Sequence, residues 1–303
     1  MKNNIRKAIT SPSKIILYLL EVHSNWFWWM SDKRFLSLKF KFRMGKKLNL
    51  KNPKTFNEKI QYLKIFDQNP EYTKLVDKYE VKKYVAEKIG EEYIIPTIGS
   101  WCNVDEIDWD ILPDKFVLKS THDSGGLVIC KNKKKLNVKK AKQKLNNSLN
   151  NDYYLMHREW PYKNVYRRII AEKYMEDRET KELRDYKFFC FNGKVKVFKI
   201  DFDRQINHRA NYYDKDGNII TLGETVCPQD FEREIKLPNN LDKMEELAEK
   251  LSAGYPFLRV DFYEVNGKIY FGELTFYPAT GMGKFTSDEW DYKLGEWIDI
   301  SKI

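Results

Sequence analysis

The sequence predicts an α+β fold in which amphipathic helices come first and antiparallel strand pairs follow. Three observations carry this. Asp185 to Phe198 alternates apolar and polar residues on both sides of Asn192-Gly193, a pair suited to a two-residue hairpin turn. Phe257 to Thr275 alternates in the same way around Asn266-Gly267. Before residue 113 the apolar residues recur at helical spacing, and strand-like texture begins at residue 114.

A chain of 303 residues with 15% aromatic content can bury one large core or two modest ones. Its net charge of +10 fits either a lysine-rich solvated surface or attraction to anionic partners: nucleotide phosphates, an acidic saccharide or an anionic membrane face. Cys102, Cys130, Cys190 and Cys227 are widely spaced and make no metal-ligand pattern, so a reducing, cytoplasmic compartment is expected. No small-residue cleavage site follows the first apolar run, so no signal peptide is expected.

Residues 1–50 form a basic, aromatic segment. Ile15 to Leu20 and Trp26 to Met30 are interrupted by Glu21, His23 and Asn25, too short for a spanning helix. Two readings stand: a helix pair packed on the domain, or peripheral contact of residues 15–45 with the inner face of the plasma membrane through tryptophans and basic side chains. Residues 51–113 are expected to be mainly helical. Thr55 caps a helix over 55–66, with Glu58 completing a capping box. Residues 71–89 read as one helix, closed by Gly90, with a very basic face that includes Lys82 and Lys83. A short strand near 93–98 follows.

Residues 114–180 read as a first strand lobe. Asp114 to Lys119 is a strand, Ser120 to Gly126 a glycine-bearing loop, and Leu127 to Cys130 its returning strand. Such a loop can be an ordinary turn, or can fold over phosphates with backbone N–H donors and the Lys119 charge beside them. A lysine-rich helix is expected over 137–151 and a strand over 166–175. The end of that strand, Glu172, Lys173, Tyr174 and Met175, is hinge-like, suited to a flat heterocycle. Residues 181–303 form a second lobe. Asp185 and Lys187 share a face, 240–253 is a helix stopped by Gly254, and the loop-rich stretch 203–237, with Asp203, Arg204, Arg209 and Pro228, is a candidate acceptor pocket.

In the last hairpin Arg259, Asp261 and Tyr263 share one face, and Phe271, Glu273 and Thr275 share another. A two-residue turn would pair Asp261 with Gly272 and set the two carboxylates on opposite sides. A three-residue loop over 265–267 would set Glu273 opposite Arg259 and beside Asp261, and this register is the one expected. The converging carboxylates then suit a hard divalent ion. An exposed hairpin face with ordinary charges is the alternative.

The stretches NPKTFNEKIQYLK, DKYEVKKYV, FVLKSTHDSGG, DYKFFCFNGK and LRVDFYEVNGKIYFGELTFYPATG, in this order, resemble the TupA-like ATP-grasp family of polysaccharide-biosynthesis loci over residues 35–295. The resemblance implies two α+β lobes clasping ATP between antiparallel sheets. It implies that Lys78, Lys119 and Lys187 touch the phosphates, with Asp185 beside them. The loop Ser124, Gly125 and Gly126 would close over them, with His122 near. The strand end at Glu172, Lys173, Tyr174 and Met175 would hold adenine. Asp261, Glu273 and Thr275 would hold Mg2+; the superfamily usually has Asn where Thr275 stands. Arg259 would bridge the transferred phosphate and the tetrahedral intermediate, and Gly281 or a neighbour would offer an oxyanion N–H.

The implied activity is an ATP-dependent carboxylate–amine ligase acting through an acyl phosphate, with an acidic saccharide or amino acid as substrate. Three other readings remain: phosphoryl transfer to a sugar hydroxyl on the same fold, a glycosyltransferase, and a non-catalytic module for anionic glycan or nucleic acid. Against the last, the aromatics alternate as core residues do and no RNA or DNA motif appears.

Overall fold

In a computed structural model describing residues 12–178, 183–203 and 207–303, the strands gather into two antiparallel sheets. The smaller contains β1 (Thr97–Trp101), β2 (Phe116–Ser120), β3 (Leu127–Cys130) and β4 (Ile169–Lys173), in the order β1-β4-β2-β3. The larger contains β5 (Asp185–Phe191), β6 (Lys194–Phe202), β7 (Arg209–Asp214), β8 (Ile219–Ile220), β9 (Phe257–Val265) and β10 (Lys268–Thr275). Its order is β10-β9-β5-β6-β7-β8.

The β5–β6 hairpin has the expected two-residue turn: Asn192 and Gly193 both adopt positive φ, and Phe191 pairs with Lys194. Phe188, Leu258, Val260 and Phe262 project from one face of the sheet and pack with Met244, Leu247 and Leu251 of a helix at Leu241–Ser252. The other face is divided along its length. At one end Phe189, Phe191 and Phe257 pack near Phe56; two residues along the strands, Lys187 and Asp261 replace them. The change from aromatic to charged residues on one face makes part of the sheet core and part of it cleft wall.

The last hairpin differs from the expected register. Lys268 pairs with Val265, so the turn is the two-residue Asn266-Gly267 form, not a three-residue loop. A bulge at Gly272 then absorbs one residue, and Glu273 pairs with Asp261 while Thr275 pairs with Arg259. The carboxylates share a face because of the bulge. A Cβ at Gly272 would stand 3.0 Å from the Asp261 carbonyl oxygen, which is why glycine fits there.

The helical region before the sheets holds α1 (Pro12–Val22), α2 (Asp32–Met44), α3 (Phe56–Phe66), α4 (Tyr72–Val76) and α5 (Val81–Ile89). Thr55 and Glu58 form the expected capping box, an arrangement that contributes about 1 kcal/mol at the cap. The single helix expected over 71–89 is broken. Asp77 accepts from the N–H groups of Tyr79 and Glu80, while the Lys78 N–H donates to the Thr121 carbonyl of the small sheet's loop. Those bonds end α4 and carry Lys78 to the cleft. The strand expected at 93–98 begins at Thr97 and runs to Trp101, pairing with β4 in the small sheet. Leu20 of α1 and Phe35, Leu36 and Phe40 of α2 pack with Met282, so the N-terminal helices dock on the body of the molecule. Among the described residues no helix is long and apolar enough to cross a membrane.

Candidate functional site

Between the sheets lies a cleft of about 320 Å3. Both lobes line it: Lys78, Lys82, Lys119, Ser124, Gly126 and Glu172 from one side, and Asp185, Lys187, Arg259 and Glu273 from the other. Ile94, Ile95, Leu127 and Phe271 add apolar surface.

On the large sheet the charges follow from register. Glu273, Asp261, Lys187 and Lys199 stand opposite one another across β10, β9, β5 and β6. Lys187 Nζ lies 3.4 Å from Asp185, 3.1 Å from Asp201 and 3.5 Å from Asp261. Burial alone would lower the Lys187 pKa, but Asp261 and Asp185 prevail and hold it above its ordinary value. Arg259 makes a two-point contact with Asp261, Nε–Oδ1 and Nη2–Oδ2 each 2.7 Å, and its Nη2 also reaches Glu273 at 2.9 Å and the Thr275 hydroxyl at 3.0 Å. Burial would raise the Asp261 pKa; Arg259 and Lys187 outweigh it and hold the carboxyl below its usual range.

On the small lobe, Glu172 sits between two ammonium groups, with Lys82 on Oε1 and Lys119 on Oε2, both at 2.6 Å. Burial acts to raise its pKa, and the two lysines overcome that and lower it. Lys78 donates to the carbonyls of Ser120 and Asp123, and burial lowers its pKa. The loop between β2 and β3 is pinned by the Gly126 N–H to Asp123 and by the Ser148 hydroxyl to the same carboxylate. A Cβ at Gly126 would collide with the hydroxyls of Ser148 and Ser120.

Several expected positions lie elsewhere. His122 is turned away from the cleft, its Nε2 facing the carbonyls of Ser148 and Asn151 at 3.1 and 3.3 Å, and burial lowers its pKa. The hinge strand is held on both edges, by β1 and β2. The Lys173 N–H already donates to the Pro96 carbonyl, and the Tyr174 ring lies against the ammonium groups of Lys115 and Lys131. Lys173, Tyr174 and Met175 therefore do not line the cleft, and Glu172 enters it by its side chain. Gly125 faces a separate depression beside Lys144 and Ser148. Gly281 is buried against Ile60 and Gln61 of α3. Arg204 lies outside the described residues. Sequence reasoning missed the site contacts of Lys82, Lys199 and Asp201; in the sequence Lys82 reads only as part of a very basic helix face.

Two antiparallel sheets facing each other across a cleft of lysines and paired carboxylates are the architecture of the ATP-grasp class, and this chain has the ATP-grasp fold. The profile of the family described as TupA-like ATPgrasp matches residues 58–299, and the chain belongs to that family. A comparison with curated proteins found no match. Solved structures similar to the chain include D-alanine–D-alanine ligase from Bacillus anthracis complexed with ATP (16% identity, 66% of this chain and 53% of that one, TM-score 0.37). Others are N5-carboxyaminoimidazole synthetase from Staphylococcus aureus (14% identity, 67% and 44%, TM-score 0.38) and D-alanyl-alanine synthetase A from Vibrio cholerae O1 biovar eltor (10% identity, 74% and 59%, TM-score 0.43). The match spans about half the length of those chains.

Proposed function

We propose that the protein is an ATP-dependent carboxylate–amine ligase that works through an acyl phosphate. The observation that carries this reading is the convergence, across one cleft, of Lys78, Lys82, Lys119 and Lys187 with Glu273, whose strand partner Asp261 is buried beside it against Arg259 and Lys187. A polyanion must be held where a second anion can approach it, and that arrangement supplies the charges.

The oxygen donors fit Mg2+. A cationic group, the Arg259 guanidinium, already stands where the oxygens of Asp261, Glu273 and Thr275 meet. Carboxylate and hydroxyl oxygens are the donors a hard dication selects. Asp261, Glu273 and Thr275 would hold the ion, which would supply charge neutralisation on the phosphate oxygens. Lys119, Lys187 and Lys78 bind the phosphates, and Ser124, on the loop between β2 and β3, lines the cleft beside them. Ile94, Ile95, Leu127 and Phe271 give the adenine an apolar slot, in place of the backbone hinge at 172–175. The substrate carboxylate attacks the terminal phosphorus and ADP leaves. The amine then attacks the acyl carbon and phosphate leaves, forming the amide. Arg259 stabilises charge on the transferring group.

The acceptor in this reading is a cell-surface polysaccharide or its precursor, joined to an amino acid or amine; family resemblance supports that choice. The site of action is the cytoplasmic face of an anionic membrane. Trp26, Trp28 and Trp29 are 64%, 70% and 65% exposed, and a groove lined by Lys33, Arg34, Lys41 and Lys47 follows closely in sequence.

The test is ADP release from Mg-ATP in a screen of uronic-acid glycans and amino acids, with product mass read in parallel. An amide product dependent on both substrates is expected, with turnover abolished in Asp261→Asn and Glu273→Gln. A stable phosphate ester would replace the ligase with a sugar kinase. UDP-sugar binding without Mg-ATP binding would replace it with a glycosyltransferase.

A further inference from the structure

Beyond the cleft, the charged face of the large sheet continues to a second cluster. Asp201 lies near the end of β6, His208 immediately precedes β7, and Cys227 lies in the segment after β8. One donor atom from each lies within 4.8 Å of the other two. His208 Nε2 is 2.8 Å from Asp201 Oδ1 and 3.5 Å from Cys227 Sγ, and the same sulfur lies 3.2 Å from His208 Nδ1. Cys227 pairs with Glu224 through an isolated bridge, and Asp201 and Cys227 are buried while His208 is partly open to solvent.

The donor set is one carboxylate, one imidazole and one thiol. A tetrahedral zinc ion with bonds of about 2.0 Å to N and O and about 2.3 Å to S has donors roughly 3.3 to 3.6 Å apart. The His208–Cys227 separation meets that value, and the His208–Asp201 separation needs an opening of about half an ångström. A thiol and an imidazole together select a borderline-soft transition metal over Mg2+, which takes oxygen. Lys199, which approaches Asp201 Oδ1 at 3.5 Å, is held by Glu224 at 2.5 Å. The other Asp201 oxygen faces Lys187.

We propose that Asp201, His208 and Cys227 form a zinc site, separate from the all-oxygen positions at Asp261, Glu273 and Thr275. The Cys227 thiol gives its proton to solvent as the ion binds, and water takes the fourth position. The ion ties the segment around Glu224 and Cys227 to the sheet. It also anchors the carboxylate whose second oxygen faces Lys187 in the cleft. This inference does not depend on the ligase reading, because its readout is the metal itself.

The experiment uses the full chain, stripped with chelator and titrated with Co2+ without nucleotide or Mg2+. The expected result is one Co2+ per chain, with tetrahedral visible bands and a near-ultraviolet thiolate-to-cobalt band, all removed by one equivalent of Zn2+. In Cys227→Ser the thiolate band disappears, and in His208→Ala cobalt affinity falls at least tenfold. Circular dichroism of each variant separates loss of the site from loss of fold. Absence of the thiolate band in the wild-type chain overturns the proposal, as does a band unchanged in Cys227→Ser.

Discussion

Arg259 and Asp261, two positions apart on β9, form a two-point ion pair with both contacts at 2.7 Å, and the same guanidinium reaches Glu273 and Thr275. The arginine therefore keeps the two carboxylates together by standing between them. A dication bound to those oxygens has to share or displace that contact. Arg259→Lys keeps one positive charge but not the planar fork. The expected outcome is a loss of turnover of about 100-fold, or roughly 2.7 kcal/mol of transition-state stabilisation, with little change in melting temperature. Single-turnover ADP formation alongside a thermal melt checks it; a lysine variant with wild-type kcat removes Arg259 from the chemistry.

Glu172 offers a second test. Its two oxygens hold Lys82 and Lys119, so in the nucleotide-free protein this carboxylate compensates cations that a triphosphate would also seek. Glu172→Gln leaves both ammonium groups largely buried without it. A loss of about 3 kcal/mol is expected, a fall in melting temperature of roughly 6 °C. Tripolyphosphate, which resupplies negative charge, should restore the variant by more than it stabilises the wild type. Equal shifts in both proteins would show that the lysines do not face a polyanion.

Alternation and turn chemistry made the strands, the Asn192-Gly193 turn and the capping box at Thr55 legible, because those signals are local. The register was not. With a regular ladder, the Asn192-Gly193 turn would place Phe198 opposite Lys187; the shift between Phe189 and Cys190 leaves out Lys196 and places Lys199 there instead. A second bulge, at Gly272, returns Glu273 to the face of Asp261. Bulges are set by packing across the whole sheet, so alternation along one strand does not reveal them. The break at Asp77 was hidden for a related reason. The Thr121 carbonyl that captures the Lys78 N–H is far away in sequence. His122 illustrates the opposite error: the family resemblance implied a place near the phosphates, and its Nε2 faces the carbonyls of Ser148 and Asn151 instead.

Acid stability follows from the direction of two pKa shifts. The folded-state carboxyls of Asp261 and Glu172 lie below their ordinary values of 3.8 and 4.5. As pH falls, the unfolded chain takes up these protons first. The stability the two groups supply is present above about pH 4.5 and is lost as pH falls through the lowered folded values. Urea unfolding from about pH 5 down to pH 3 should show a steep loss in the wild type. The loss should be shallower in Glu172→Gln, which has no proton to take up there. Parallel pH profiles for the two proteins would contradict the assignment of Glu172 as a charged bridge.

The N-terminal helices bury Leu20, Phe35, Leu36 and Phe40 while leaving Trp26, Trp28 and Trp29 in solvent. Three large aromatics left out of a core that their own neighbours enter form a surface suited to the lipid interface, and Lys33, Arg34, Lys41 and Lys47 lie close by in sequence to meet anionic headgroups. In flotation with anionic vesicles the wild type should partition with the lipid, and high salt should weaken it by screening the lysines. Replacing all three tryptophans with serine should reduce partition at least tenfold while the melting temperature stays unchanged, since the side chains are exposed. Equal binding to neutral vesicles would assign the contact to the aromatics alone; flotation of the triple variant at the wild-type level would place the contact elsewhere on the molecule.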